Sequence, residues 1–295
     1  MVNLKNYIRT LNVIVIALFI VSLSWTTASF AEETTKKSSD RLSIGEKFQG
    51  ESLSFQVSFW ILDNVATATI SVVKTGDFYV ATLKAKTSGL AWWLTNREDK
   101  YISVLQEVDG GNRFRTVSFE EWWKIGSKVR RNLTEMRYPD GKVKVRKWRK
   151  GRNVEQYSMK IKDGVAYDDP LCAFYNFRYG VYGISVEGAS FSIPTFPKKD
   201  EVASDILLSI LTEDEFDKRI KSKHIKKHFG NPVSKEYYMA DVKLDKDILG
   251  SKSGLMEILF NEKLVPVWAV AKDVALFGDV KGILIEEPAK VTSNP

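Results

Sequence analysis

Cys172 is the only cysteine in a chain of 295 residues. It sits just past two adjacent carboxylates, Asp168 and Asp169, in AYDDPLCAFYNFRYG, residues 166–180. A thiol beside two acids has the parts of a nucleophile with proton-handling helpers. Such a nucleophile also needs a base, usually histidine. The chain has two histidines, His224 and His228, both in the lysine-rich stretch DEFDKRIKSKHIKKHFG. Their spacing puts both rings on one helix face, but the intervening IKK brings no carboxylate and the lysines repel a cation, so no metal is expected there. Asp168 and Asp169 are neighbours and point in different directions. Asp169 suits a helix N-cap, Pro170 the first helical position and Gly180 the left-handed stop. Between them Leu171, Cys172, Ala173, Phe174, Phe177 and Tyr179 leave few polar positions, and a helix apolar on nearly every side is buried. Cys172 then acts as a small hydrophobe. The chain shows no glycine-rich phosphate loop and no G-x-S-x-G elbow, and no motif pairs its acids as in a glycosidase. The expectation is no catalytic residue, no metal and no cofactor.

The second kind of chemistry is charge. From Lys124 to Arg152 the chain carries twelve basic residues against Glu135 and Asp140, a local charge of 12 − 2 = +10. If PDG closes a three-residue hairpin loop, Tyr138 faces Lys142, Thr134 faces Arg146 and Arg130 faces Lys150. One face then gathers Lys128, Arg130, Lys142, Lys144, Arg146, Lys150 and Arg152, with Trp148 among them. Such a field attracts polyanions or an anionic membrane surface. The plainer reading is an edge strand protected by charge from aggregation. Aromatic residues add a further candidate. TSGLAWWLTN forms a helical turn with Leu90, Trp93 and Leu94 on one side and Trp92 on another. In FEEWWK the adjacent Trp122 and Trp123 must leave opposite faces of a strand. Rings on both faces suggest a second apolar surface, a groove under a lid, although aromatics of this kind also serve simply as core.

The elements that hold these residues are β almost throughout. In LSFQVSFWI, Leu53, Phe55, Val57, Phe59 and Ile61 alternate with Ser54, Gln56 and Ser58, the period-2 pattern of a half-buried strand. ATATISVV repeats it, and TGD turns into FYVATLKAK. Further strands are predicted at Lys100–Val108, Arg113–Trp123, Lys128–Tyr138, Lys142–Trp148, Ser190–Phe196, Tyr237–Leu244, Gly254–Phe260, Val265–Ala271 and Val280–Ile285. Turn chemistry separates many of them: DGGN, PDG, NEK, FGD. The expected fold is mainly β, a curved antiparallel sheet rolled into a partly open barrel or sandwich, with one buried short helix and one charged helical insertion.

The N-terminus carries Lys5 and Arg9, an apolar run from Leu11 to Trp25 and small residues at Ser29 and Ala31. This order predicts a cleaved secretory signal, residues 1–31, and a periplasmic protein; the run is short for a membrane span. A polar tail over 32–44, one β-rich domain over 45–288 and a polar C-terminal tail over 289–295 follow. A single cysteine cannot form an internal disulfide, so the core must carry the stability. Subtracting Lys5 and Arg9 leaves 42 − 37 = +5 on the processed chain.

IGEKFQGESLSFQVSFWILDNVATATISV, AKTSGL, YDDPLCAFYNFR and GLMEILFNEKLVPVWAVAKDVALFGDVKGIL occur in an order that resembles the family called domain of unknown function 3108. The resemblance covers roughly residues 45–288, with an added charged helix over 202–230. It implies an exported, β-rich, single-domain protein without an established reaction and with no catalytic residue to carry over. Residues and resemblance together suggest a non-enzymatic periplasmic protein that binds an amphipathic or anionic envelope component: lipid, lipopolysaccharide or acidic glycan. Lys128, Arg130, Lys142, Lys144, Arg146, Trp148, Lys150, Arg152, Trp92, Trp93 and Trp122 are the binding candidates. The alternatives are an envelope scaffold docking onto proteins through its basic face and a hydrolase of envelope polymers. Nucleic acid is not an expected partner, and membrane contact is peripheral at most.

Overall fold

The computed structural model describes residues 41–59, 62–89, 92–93, 96–196, 205–221, 225, 236–243, 251–274 and 278–286. The expected signal segment, the two histidines, Leu90 and Leu94 lie outside them. The described residues form fourteen strands: β1 (Ser52–Phe59), β2 (Leu62–Thr75), β3 (Phe78–Thr87), β4 (Arg97–Val108), β5 (Arg113–Ile125), β6 (Lys128–Arg137), β7 (Lys142–Arg149), β8 (Arg152–Lys160), β9 (Ser190–Pro194), β10 (Asp205–Ile210), β11 (Tyr237–Lys243), β12 (Leu255–Asn261), β13 (Pro266–Val274) and β14 (Gly278–Glu286). Three helices accompany them: α1 (Ile44–Phe48), α2 (Pro170–Tyr179) and α3 (Glu213–Ile220). All strand neighbours are antiparallel, and the order is β8-β7-β6-β5-β4-β3-β2-β1-β14-β13-β12-β11-β10-β9. The sheet is thus one long meander whose ends, β8 and β9, do not pair. Two strands were not expected from sequence, β8 and β10: RNVEQYSMK is too polar to alternate cleanly, and DILLSI is short.

The sheet curls around α2. Phe177 on that helix packs against Phe191 of β9 at 5.8 Å and Phe260 of β12 at 5.6 Å between ring centroids. On the other side Tyr175 meets Phe114 of β5 edge-on at 6.5 Å. Every residue of α2 except Pro170 is buried. One alternating set along the strands faces inward: Leu53, Phe55 and Val57 on β1, Ala66, Ala68, Ile70 and Val72 on β2, and Tyr79, Ala81, Leu83 and Ala85 on β3. The gap between β8 and β9 is sealed by side chains. Met136, Val143, Val145 and Tyr167 cluster with Tyr157 and Met159 of β8 and with Phe196 just beyond β9. A second cluster lies outside the sheet, where Phe216 of α3 and Ile225 cover Met239, Leu259, Trp268 and Val270.

Polar groups set the seat of α2. Asp169 Oδ1 accepts from the amides of Leu171 and Cys172 at 2.8 and 3.1 Å. Its Oδ2 accepts from the Thr116 hydroxyl at 2.7 Å and from the Ser103 hydroxyl. Asp168 takes Arg113 Nη2 at 2.7 Å and the Tyr182 hydroxyl at 2.5 Å. Asn176 bonds both the amide and the carbonyl of Phe114 at 2.9 Å, as a neighbouring strand would. The expected cap is therefore also the peg that holds the helix in the barrel. Residues 41–44, assigned from sequence to the polar tail, are instead built in. Arg41 Nη2 donates to the Tyr179 carbonyl at 2.7 Å, Ser43 and Glu46 form a capping box, and Ile44 is fully buried. Gly45 has no room for a side chain, because a Cβ there would meet the Tyr79 ring and the Glu107 carboxylate.

Candidate ligand-binding end of the barrel

Helix α2 fills the end of the barrel where β4 finishes and β5 begins. At the opposite end lie the start of β4, the β5–β6 turn and the β7–β8 turn, and the inner face changes character there. On β4 the inward positions run Arg97, Asp99, Tyr101, Ser103 and Leu105, all buried. Across from them on β5, Ile125 pairs with Arg97, Trp123 with Asp99 and Glu121 with Tyr101. Arg97 Nε donates to Asp99 Oδ2 at 2.7 Å, with the two residues 3% and 1% exposed. Burial lifts the Asp99 carboxyl to about 6 despite that ion pair. Burial also raises the Glu121 carboxyl, opposed by the Asn132 amide and Lys147. The Tyr101 hydroxyl is pushed far up by burial first and then by Asp99 and Glu121, and eased by Arg97 and the Trp123 indole N–H. These groups therefore share one small space.

The inner row through Asp99 and Trp123 continues outward across the next strands. Trp123 pairs with Arg130, Arg130 with Arg149 and Arg149 with Arg152. Three arginines stand side by side on one face, beside exposed Lys128 and Lys150. Like charges directly opposite each other across strands are destabilising.

The expected single basic face is corrected by the register of the hairpin. Arg137, not Tyr138, faces Lys142, and Leu133 faces Arg146. Tyr138, Pro139 and Asp140 make a tight 3-10 turn closed by Gly141 at φ 60°. Tyr138 leaves the strand because its hydroxyl donates to the Thr116 carbonyl at 2.6 Å and its ring lies under Arg115. A slip of one residue sends side chains to the other face. Lys128, Arg130 and Arg152 thus point inward, Lys142, Lys144, Arg146 and Trp148 point outward, and Lys150 sits in the β7–β8 turn with φ 50°.

The outward group is largely spent on structure. Glu120 takes Arg131 through two bonds of 2.7 Å, and Glu135 takes Arg146 at 2.6 Å. Both guanidinium groups lie over the Trp148 ring, at 4.9 and 5.6 Å. Trp122 is half-buried on that outer face opposite Arg131, and Trp123 is inward, so the two tryptophans diverge as expected. Trp92 and Trp93 lie between β3 and β4, 46% and 78% exposed.

Sequence reasoning missed Arg97, Asp99, Tyr101 and Trp123 as a group. The signal was there: in REDKYISVL the charged Arg97 and Asp99 share the parity of Tyr101, Ser103 and Leu105, and charges on a core-facing parity are unusual. At the helix end, a cleft of about 330 Å³ is lined by Arg41, Tyr179, Ile184, Tyr238 and Leu264 among others. Cys172 is fully buried, and burial, Asp168 and Asp169 push its thiol well above the usual range. Among the described residues no group of three or more histidine, cysteine or acidic side chains could hold a metal, and no helix is long and apolar enough to cross a membrane.

No family model and no curated protein matches the chain. Among solved structures it is similar to a beta-barrel-like protein of the domain of unknown function DUF1849 from Brucella abortus. The identity is 10%, the TM-score 0.44, and the match covers 82% of this chain and 99% of that one.

Proposed function

We propose that this protein is a non-enzymatic, exported binding protein of the cell envelope, related to the domain of unknown function 3108 proteins, that holds an anionic amphiphile at the basic end of its barrel. The observation that carries the reading is the inward row Trp123–Arg130–Arg149–Arg152. Arg149 and Arg152 stand directly opposite each other, and like charges so placed cost stability unless an anion lies between them. Arg149 and Arg152 are exposed and have no ion-pair partner among the described residues, so the charge is available to a ligand. Exposed Trp92 and Trp93 at the same end supply the amphipathic rings that suit a lipid–water boundary. A fully buried thiol, pushed up by burial and by Asp168 and Asp169, favours binding over chemistry. The test is co-sedimentation with vesicles of neutral phospholipid, with and without anionic phospholipid, over a range of salt. Binding confined to the anionic vesicles and weakened by salt supports the reading. Indifference to lipid charge would sink it.

A further inference from the structure

Five buried polar atoms at the far end of the barrel form no hydrogen bond of ordinary geometry: Arg97 Nη1 and Nη2, Asp99 Oδ1, the Tyr101 hydroxyl and Trp123 Nε1, although the Trp123 indole N–H lies near enough to the Tyr101 hydroxyl to ease its ionisation. They are five of twelve such atoms among the described residues, and they come from four adjacent side chains. Leaving a buried donor or acceptor unmade costs about 1–3 kcal/mol each, so a cluster of them is a feature the fold must be compensated for elsewhere. Nothing in the backbone explains it. Arg97 is held firmly, its amide on the Thr87 hydroxyl at 3.0 Å and its carbonyl receiving that hydroxyl at 3.2 Å. Its Nε is committed to Asp99, which leaves the Nη1–Nη2 edge of the guanidinium unpaired.

We propose that Arg97, Asp99, Tyr101 and Trp123 form a buried receptor for the oxyanion head of an alkyl ligand, a carboxylate or a phosphate monoester. This deepens the envelope-binding reading and rests on it. The donor count decides the chemistry: the two Arg97 Nη atoms and Trp123 Nε1 only donate, the Tyr101 hydroxyl donates and accepts, and Asp99 Oδ1 accepts, so the ligand must be rich in acceptors. The free edge of a guanidinium is a fork that matches two oxygens of one carboxylate or phosphate. With its carboxyl lifted to about 6, Asp99 can itself hold a proton toward such an oxygen. The approach is marked as well, because Asp99 and Trp123 begin the row that ends in exposed Arg149 and Arg152. In the other direction the row passes to Ala85, Ala68 and Phe55, an apolar wall of mostly small side chains for the hydrocarbon.

The experiment is calorimetric titration of the protein with laurate, dodecyl phosphate and inorganic phosphate. Tyr101→Phe and Trp123→Phe each remove one donor and keep an aromatic ring, and each should weaken the bound amphiphile about five- to tenfold. Arg97→Lys loses the fork and should weaken it by more than a hundredfold. Binding of laurate alone identifies a fatty-acid-type head, binding of dodecyl phosphate alone a phosphorylated one, and either supports the receptor. Unchanged affinity in both aromatic variants overturns it, the buried groups then holding water only. Vesicle binding without binding of either soluble amphiphile sinks the receptor but leaves the envelope reading. Amphiphile binding without vesicle binding does the reverse.

Discussion

Two sets of four cations in the same hairpins separate a true anion site from general positive charge. The first set, Lys128, Arg149, Lys150 and Arg152, lies at the far end, all four exposed. The second, Arg131, Arg137, Arg146 and Lys147, is paired with Glu120, Asp140, Glu135 and Glu155 at 2.6 to 3.5 Å. Replacing either set with glutamine changes the net charge by the same amount. Near an anionic surface each basic residue is worth about 1 kcal/mol, so four contacts amount to about 4 kcal/mol, roughly a thousandfold in affinity. The first variant should therefore lose anionic-vesicle binding by about three orders of magnitude. Its residual binding should hardly respond to salt, since the screened contacts are gone. The second variant removes charges already neutralised by a neighbour and should keep affinity within about tenfold, a single contact's worth. Co-sedimentation at low and moderate salt reads both. Equal losses in the two variants would show that only the overall field matters, and the argument for a site at the barrel end would fail.

Three further outcomes follow from the buried groups. Cys172 should resist thiol reagents in the native protein and react fully once unfolded; Cys172→Ala should keep vesicle binding, and fast native labelling would contradict the packing of α2. Asp169→Ala should destabilise by about 3–5 kcal/mol in denaturant unfolding, because it deletes the N-cap and strands the Ser103 and Thr116 hydroxyls. A loss below about 1 kcal/mol would mean that the peg is not needed. Burial raises both Asp99 and Asp169 to about 6 from 3.8. The folded state then holds protons that the unfolded chain has released, so stability should fall as pH rises from about 4 to 6, by about 3 kcal/mol per group. Asp99 faces Arg97 and Glu98, and Asp99→Asn should remove its share of the slope, a change read by urea unfolding between pH 4 and 7.

Alternation made the sheet legible, because a strand with one face in a core must place its apolar residues two apart. The strands from β1 to β7 and from β11 to β14 carry that signal. β8 does not, since as the last strand it buries little and needs few apolar residues. The helix in AYDDPLCAFYNFRYG was legible from Asp169, Pro170 and Gly180, whose caps depend on local geometry alone. The basic face was not. It depended on hairpin register, and register turned on Tyr138, which a tertiary bond to Thr116 pulls into the turn. No rule local to RYPDGK contains Thr116. For the same reason the pattern of β4 hid its meaning: Arg97 and Asp99 look like the polar end of an outward strand until Tyr101 and Leu105 show which way the parity runs.

The two ends of the barrel treat their polar groups differently. At the helix end polar groups are matched with care: Asp168, Asp169 and Asn176 each make two or more bonds, and α1 and α2 close the core over Tyr79 and Phe114. At the other end, five atoms go unmatched within one small cluster and three arginines line up across neighbouring strands. The unmatched cluster lowers stability, and replacing a buried pair such as Arg97 and Asp99 with well-packed apolar residues is often neutral. Local violations of folding logic concentrate where a site is kept. With α2 locked by Asp169, the helix end is held independently of Arg97 and Asp99, and on the proposed reading the far end keeps its charge for an oxyanion.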